Sequence, residues 1–262
     1  MSERVTVDVS EGVADVRLNR PEKLNALDAA MFAGLVEVGT RLAKDRGVRA
    51  VVLSGEGRGF CAGLDFKSFL GAGGGTLLER DPDSIANRAQ RAAWVWQELH
   101  VPVIAAIHGV AFGGGLQIAL GADLRYATAD AELSVMEIRW GLVPDMSGTQ
   151  TLRRLVRLDV AKELTFTGRV VSGAEAQVLG LVTRVVEAPR EAALAIARDI
   201  AGKSPHAVRS SKVLLNASGV SPVEEGLALE ERLQRALLGS PNQVEAVMAN
   251  LEKREPRFSD PE

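Results

Sequence analysis

The chain reads as an α/β fold followed by a helical region, and three observations carry that reading. Two short segments near the N-terminus alternate apolar and polar residues with a period of two. Val101 to Ile107 is a nearly unbroken apolar run, as expected of a strand buried on both faces. Toward the C-terminus, Ser204-Pro205, Ser221-Pro222 and Ser240-Pro241 each place a capping residue before a proline at the first helical position. We therefore expect an α/β core over residues 1–200 and a helical region over residues 201–262.

The elements follow in order. Val5, Val7 and Val9 alternate with polar neighbours, and so do Val16 and Leu18. With Glu11-Gly12 between them, the two runs predict a β-hairpin. Asp28 is placed to cap an amphipathic helix reaching about Lys44, with Met31, Leu35, Val38 and Leu42 on its inner face. Val48 to Leu53 is a short buried strand and Gly55 to Gly63 a loop. Residues 71–83 are the least structured stretch, and Gly73-Gly74-Gly75 reads as a flexible surface loop because no Lys-Ser/Thr pair follows it. Ser84 is expected to open a helix ending near Leu99.

Beyond the Val101–Ile107 strand, Gly113-Gly114-Gly115 leads into a short helix. Leu124 to Ala127 and Leu133 to Val135 are further strands. Helices dominate from about residue 147. Ser172 to Glu175 has the form of a capping box, Gly180 ends that helix, and Val182 to Val186 adds one more strand.

Composition narrows the function classes. A net charge of −3 gives no broad basic surface for nucleic acid. No apolar run approaches the ~20 residues that span a bilayer. The N-terminal MSERVTVDVS lacks the layout of a signal peptide, so the cytoplasm is the simplest compartment. A single cysteine, Cys61, excludes an internal disulfide framework and a cysteine-based zinc site. No metal or redox cofactor is indicated. With one Tyr and three His in the chain, carboxylates are the natural acid/base candidates. His100 and His108 flank a buried strand and read as structural; Cys61 reads as a small buried side chain. Trp94 and Trp96 are two apart on a helix and cannot share one face.

Three segments can carry chemistry: Gly59 to Asp65, His108 to Gln117, and Met136 to Asp145. The second leaves a buried strand and opens a helix. Its glycines let backbone approach a ligand, and the first helical N–H groups have no internal partner. Such amides suit a developing negative oxygen, and a second small-residue turn at Gly59–Asp65 could supply another donor.

These segments, GFCAGLD, AAIHGVAFGGGLQIALGADLRYA and MEIRWGLVPDMSGTQTLRRL, together with NRPEKLNAL and SGAEAQVLGLVTRVV, resemble the crotonase (enoyl-CoA hydratase/isomerase) superfamily. The matches keep the family's order over nearly the whole chain. The resemblance implies a crotonase-like spiral of ββα units, a helical C-terminal region used for trimerisation (a homotrimer or a dimer of trimers), and acyl-CoA thioester substrates, with coenzyme A arriving as part of the substrate. It puts the oxyanion-hole amides at Leu64 and Gly114. Lys23 to Ala26, with Ala62 and Asp65, resemble the stretches that hold adenine and the pantetheine arm; Lys67 lies where a basic residue often meets the CoA phosphates. Lys253 and Phe258 resemble C-terminal residues that reach a neighbouring subunit's CoA.

The carboxylate count bears on the reaction. Hydratases of the family use two glutamates; here the first position is Gln117 and the second Glu137. An amide is neither a useful base nor a useful acid near neutral pH, though it can hold water or a substrate oxygen. Isomerases of the family work with the single glutamate. Asp145, eight residues after Glu137, resembles the second carboxylate of dienoyl-CoA isomerases, although those also carry an acidic residue where Gln117 stands. The sequence therefore favours double-bond isomerisation with Glu137 as proton shuttle and Asp145 as its partner. An atypical hydratase and a non-catalytic acyl-CoA-binding protein are the alternatives. An aspartate nucleophile at Asp145, as in dehalogenases and hydrolases of the family, has no second residue to support it.

Overall fold

The computed structural model describes residues 3–69, 74–82 and 84–261. Strands β1 (Val5–Ser10) and β2 (Val13–Leu18) pair antiparallel, Val5 opposite Leu18 and Ser10 opposite Val13. Glu11 and Gly12 form the turn with φ of 51° and 77°, the left-handed conformations a two-residue hairpin requires. Helix α1 (Ala29–Lys44) starts where the Asp28 carboxylate accepts the Met31 amide at 2.8 Å, and it buries Met31, Leu35, Val38 and Leu42 as predicted. Strand β3 (Ala50–Gly55) begins two residues later than expected.

The following stretch departs more from expectation. A four-residue helix α2 (Phe66–Phe69) precedes a 3₁₀ turn at Gly74–Leu78, inside the segment read as loop. Gly73 lies outside the described residues. Helix α3 (Arg88–Glu98) opens at Asn87, not Ser84. The Ser84 hydroxyl is spent locally on the Ala86 carbonyl and amide, and Arg80 bridges Asn87, which keeps the chain extended up to that point. Asn87 and Gln90 then complete a reciprocal capping box.

Strands β4 (Val103–Ile107) and β5 (Val110–Phe112) lead into α4 (Gly114–Leu120), all of whose residues are buried. They are followed by β6 (Leu124–Ala127), β7 (Glu132–Ser134), α5 (Gly148–Leu155), α6 (Leu158–Thr167), β8 (Val171–Ser172), α7 (Gly173–Leu179) and β9 (Arg184–Val185). The Ser172 box is half formed. Its hydroxyl accepts the Glu175 amide, but the Glu175 carboxylate turns to Arg169. Helices α8 (Pro189–Ala201), α9 (Pro205–Ser218), α10 (Val223–Leu237) and α11 (Pro241–Glu252) complete the chain. Ser204 and Ser240 cap α9 and α11 as read from the sequence; at α10 the cap position is Pro222, one residue later than predicted, with no side-chain bond.

One sheet runs β1-β2-β3-β4-β6-β9, parallel from β2 onward; a second runs β5-β7-β8. After β4 and β6 the chain steps from the first sheet to β5 and β7 in the second, and after β3 it steps to Cys61, which bridges Ala111 of β5. This repeated stepping is the expected spiral. Strands β3 and β4 are covered on both faces: Val51, Leu53, Val103 and Ala105 pack with α1 and α3, whereas Val52, Ile104 and Ala106 pack with Ala193, Ala197 and Ala201 of α8. That accounts for their continuous apolar sequence. Helix α9 is tied to the core by buried Lys212, whose Nζ donates to the Val101 carbonyl (2.9 Å) and to Asp123 Oδ2 (2.8 Å). Burial pushes the Lys212 pKa down, opposed by the Asp123 charge. Among the described residues no helix is long and apolar enough to cross a membrane.

Candidate active site

The spiral brings the three predicted segments around one cavity of about 280 Å³. Its wall is apolar, with Phe32, Phe69, Leu77, Leu78, Ala89 and Met146 among the lining residues. Glu137 and Asp145 are the only titratable groups among the described lining residues.

The first turn is held by the segment before α1. The Leu24 carbonyl accepts the Ala62 amide (2.9 Å), the Gly63 carbonyl accepts the Leu27 amide (2.8 Å), and the Leu27 carbonyl accepts the Asp65 amide (3.0 Å). Asn25 locks this segment from below through its side chain, donating to the Glu56 and Gly59 carbonyls and accepting the Arg20 amide. Leu24 and Asn25 adopt left-handed φ of 48° and 56° to make the bend. These bonds bring the Lys23–Ala26 segment beside Ala62 and Asp65. The Asp65 carboxylate is itself committed, to Arg20 Nη1 at 2.8 Å; the Ser68 and Arg20 hydrogen bonds hold its pKa below the usual carboxylate range. Lys23 and Lys67 project to solvent.

The second turn docks on the first. Cys61 and Val110–Phe112 exchange backbone bonds of 2.9 and 3.0 Å, and a Cβ placed on Gly63 would lie 2.6 Å from the Phe112 carbonyl oxygen and 3.7 Å from the Gly114 nitrogen. Gly63 has φ of +84° and Gly113 of +51°, so glycine is required at both on conformational grounds as well. Among the described residues, neither the Leu64 nor the Gly114 amide donates to a protein acceptor. Two unspent N–H groups therefore stand at the cavity wall, one of them in the first turn of α4.

Glu137 opens a 3₁₀ turn (Glu137–Trp140) three residues past the end of β7 and is only 8% exposed. Its Oε1 accepts Gln117 Nε2 at 2.6 Å, while its buried Oε2 has no protein partner. Gln117 Oε1 accepts the Met146 amide (2.8 Å) and the Gly148 amide (2.9 Å). Two backbone donors on that oxygen fix the amide orientation, so the Gln117 NH₂ group faces Glu137. Burial raises the Glu137 pKa; hydrogen bonds from its own backbone amide and from Gln117 oppose the rise, and the Asp145 charge adds to it. Asp145 lies at the cavity edge with part of the residue in solvent, and burial of its carboxyl raises its pKa too.

Other sequence expectations resolve plainly. Cys61 is buried, donates to the Asn25 carbonyl, and is pushed up to about 12 by desolvation. His108 lies against the Gly57 carbonyl and His100 is exposed. Trp96 is fully buried, whereas half-buried Trp94 lines a neighbouring cavity. Lys253 and Phe258 line none of the central cavity in this chain; Arg49 anchors the tail by donating to the Phe258 carbonyl and pairing with Asp260. The sequence reading missed Phe66 and Trp140, whose rings stack at 4.2 Å beside the cavity. No local pattern links those two positions. Among the described residues no group of three or more His, Cys, Asp and Glu side chains is placed to hold a metal ion.

A spiral α/β fold in which Leu64, Gly114 and a buried carboxylate line one apolar cavity defines the class, and comparison with known proteins places the chain within it. The family description Enoyl-CoA hydratase/isomerase matches residues 8–261. The chain belongs to that family. It is 37% identical over 256 residues to bovine (Bos taurus) enoyl-CoA hydratase domain-containing protein 2, mitochondrial, covering 95% of this chain and 85% of that protein. It is 36% identical over 257 residues to the mitochondrial Delta(3,5)-Delta(2,4)-dienoyl-CoA isomerase of Rattus norvegicus, covering 93% and 77%. The crystal structure of an enoyl-CoA hydratase from Mycobacterium smegmatis superposes with a TM-score of 0.84 at 34% identity, covering 97% of this chain and 98% of that one.

Proposed function

We propose that this protein moves a double bond along an enoyl- or dienoyl-CoA thioester. One observation carries the reading: the Gln117 carbonyl is consumed by two backbone amides and its NH₂ group is aimed at Glu137, which leaves Glu137 and Asp145 as the titratable groups at the cavity. The thioester oxygen sits between the Leu64 and Gly114 amides, where two preorganised donors stabilise an enolate. Glu137 Oε2 takes a proton from the carbon next to the thioester, and the electron pair moves into the carbonyl oxygen. For a 3-enoyl thioester the same carboxyl returns the proton two carbons further along, giving the 2-enoyl product. For a 3,5-dienoyl thioester the proton is delivered at the far end of the conjugated system by Asp145, the second carboxyl in the cavity lining, and both groups are restored when Glu137 releases its proton to solvent and Asp145 takes one up. The raised pKa of Asp145 favours a carboxyl able to donate.

The Lys23–Ala26 segment, Ala62 and Lys67 flank the first turn and would carry the coenzyme A arm. Exposed Leu215, Val223, Leu227 and Leu251 on the C-terminal helices support assembly into trimers. The test is turnover of 2-enoyl-, 3-enoyl- and 3,5-dienoyl-CoA by the purified protein and by Glu137→Gln. Migration without hydration, lost in the variant, supports the reading. Efficient hydration of the 2-enoyl thioester makes the protein a hydratase; acyl-CoA binding with no turnover of any of the three makes it a binding protein.

A further inference from the structure

We propose that a second cavity receives an anionic group, a carboxylate, at the far end of the acyl chain; this rests on the acyl-CoA reading of the central cavity. The second cavity measures about 390 Å³ and is bordered by Arg80, Gln90, Trp94, Gln150, Arg153 and Arg154, with no carboxylate among its described lining residues. None of the ion pairs among the described residues involves Arg80, Arg153 or Arg154. Three exposed arginines thus border one cavity with no ion-pair partner among the described residues, in a chain whose net charge is −3.

The convergence is built by the fold. Gln150, Arg153 and Arg154 stand at i, i+3 and i+4 on α5, and Gln90 and Trp94 at i and i+4 on α3, so each helix turns one side to the same space. Arg154 also extends toward the end of α9, its Nε 3.8 Å from the position of a Cβ on Gly219.

The two cavities are lined by neighbouring residues of the same segments. Leu77 and Leu78 line the first and Arg80 the second; Ala89 lines the first and Ala86 and Gln90 the second; Met146 lines the first and Ser147 the second. In three separate segments Leu78, Ala89 and Met146 of the first lining are thus followed within one or two residues by Arg80, Gln90 and Ser147 of the second. The thioester end of a substrate is set at Leu64 and Gly114, and the coenzyme A arm leaves past Ala62, so an extended acyl chain that passes Leu78, Ala89 and Met146 arrives among the arginines. Guanidinium groups recognise a carboxylate through paired hydrogen bonds that a terminal methyl group cannot make.

The test is calorimetric binding of saturated acyl-CoA thioesters, which cannot be isomerised, in pairs of equal length ending in a methyl or a carboxylate. Wild-type protein and the double variant Arg80→Gln/Arg153→Gln are compared, with circular dichroism verifying the fold of each. At the fitting chain length the wild type is expected to bind the carboxylate-ended thioester roughly tenfold or more tightly than its methyl-ended partner, and the variant to lose most of that ratio. Equal or weaker binding of the carboxylate-ended thioesters at every length, or a ratio untouched by the variant, overturns the proposal. So does an equal loss of affinity for free coenzyme A, which would place its phosphates in this cavity instead. Failure of the isomerase reading shows up separately, as absent turnover with the binding ratio intact.

Discussion

Replacing Gln117 by glutamate changes one amide nitrogen to oxygen and sets a second carboxylate against Glu137, 2.6 Å from its Oε1. Two charges at that separation repel by about 6 kcal/mol at an effective dielectric constant of about 20, on the order of four pH units. The pair then holds one proton near neutrality. Its location follows from the other end of the side chain: the Met146 and Gly148 amides, which now donate to Gln117 Oε1, would favour the charge at position 117. Glu137 would keep the proton and lose its role as base. For Gln117→Glu, kcat/KM for isomerisation of 3-enoyl-CoA at pH 7 should fall about a hundredfold or more, and its alkaline-rising limb should move up by several units. Hydration of 2-enoyl-CoA should rise, since one carboxyl and one carboxylate now face the substrate together. The assay is a pair of pH–rate profiles followed by ultraviolet absorbance. A limb that stays at its wild-type position would show that Gln117 and Glu137 do not interact in the working enzyme, and the reasoning from their geometry would be refuted.

Four further outcomes are expected. Glu137→Gln should lower turnover about a hundred- to ten-thousandfold. The same variant should be more heat-stable than wild type at neutral pH: a raised folded pKa gives stability that is full below the unfolded value near 4.3 and is lost as pH rises through the folded value, so calorimetric melting temperatures should coincide near pH 4 and separate above it. Gly113→Ala should cost about 1–3 kcal/mol, read from urea midpoints, and reduce kcat as well, because φ of +51° is strained for alanine and its Cβ would lie 3.3 Å from Glu137 Oε1. Lys212→Met should cost about 3–5 kcal/mol by removing one partner of a buried pair, and Lys212→Met/Asp123→Asn should recover part of that loss; full stability in the single variant would show that the pair does not hold α9 to the core.

Features set by adjacent residues were legible in the sequence. The Glu11-Gly12 turn, the Asp28 and Ser240 caps and the Leu124–Ala127 strand all follow from chemistry within a few positions. Errors arose where two local signals competed. Ser84 and Asn87 both have capping side chains; Ser84 is spent on Ala86, while Asn87 pairs with Gln90 and is bridged by Arg80 across a turn. Strand β5 has three residues, too few to display an alternation, and its partners at Cys61 and β7 come from other turns of the spiral.

For the site, the resemblance pointed to three segments that the fold gathers at one cavity, and Gln117 is an amide where the resemblance implies a glutamate. Neither could reveal that the Gln117 carbonyl is occupied by the backbone of Met146 and Gly148, because that contact spans about thirty residues and depends on the packing of α4 against α5. The Phe66–Trp140 stack and the meeting of Arg80 with Arg153 are hidden for the same reason.

The central claim is that Glu137 moves a proton without adding water. It is tested most directly by incubating the protein with 3-enoyl-CoA in ¹⁸O-labelled water and weighing the product. The expected product has the mass of the substrate and a conjugated absorbance that the Glu137→Gln variant does not generate. A product heavier by one labelled water, formed as fast as the substrate disappears, would contradict it.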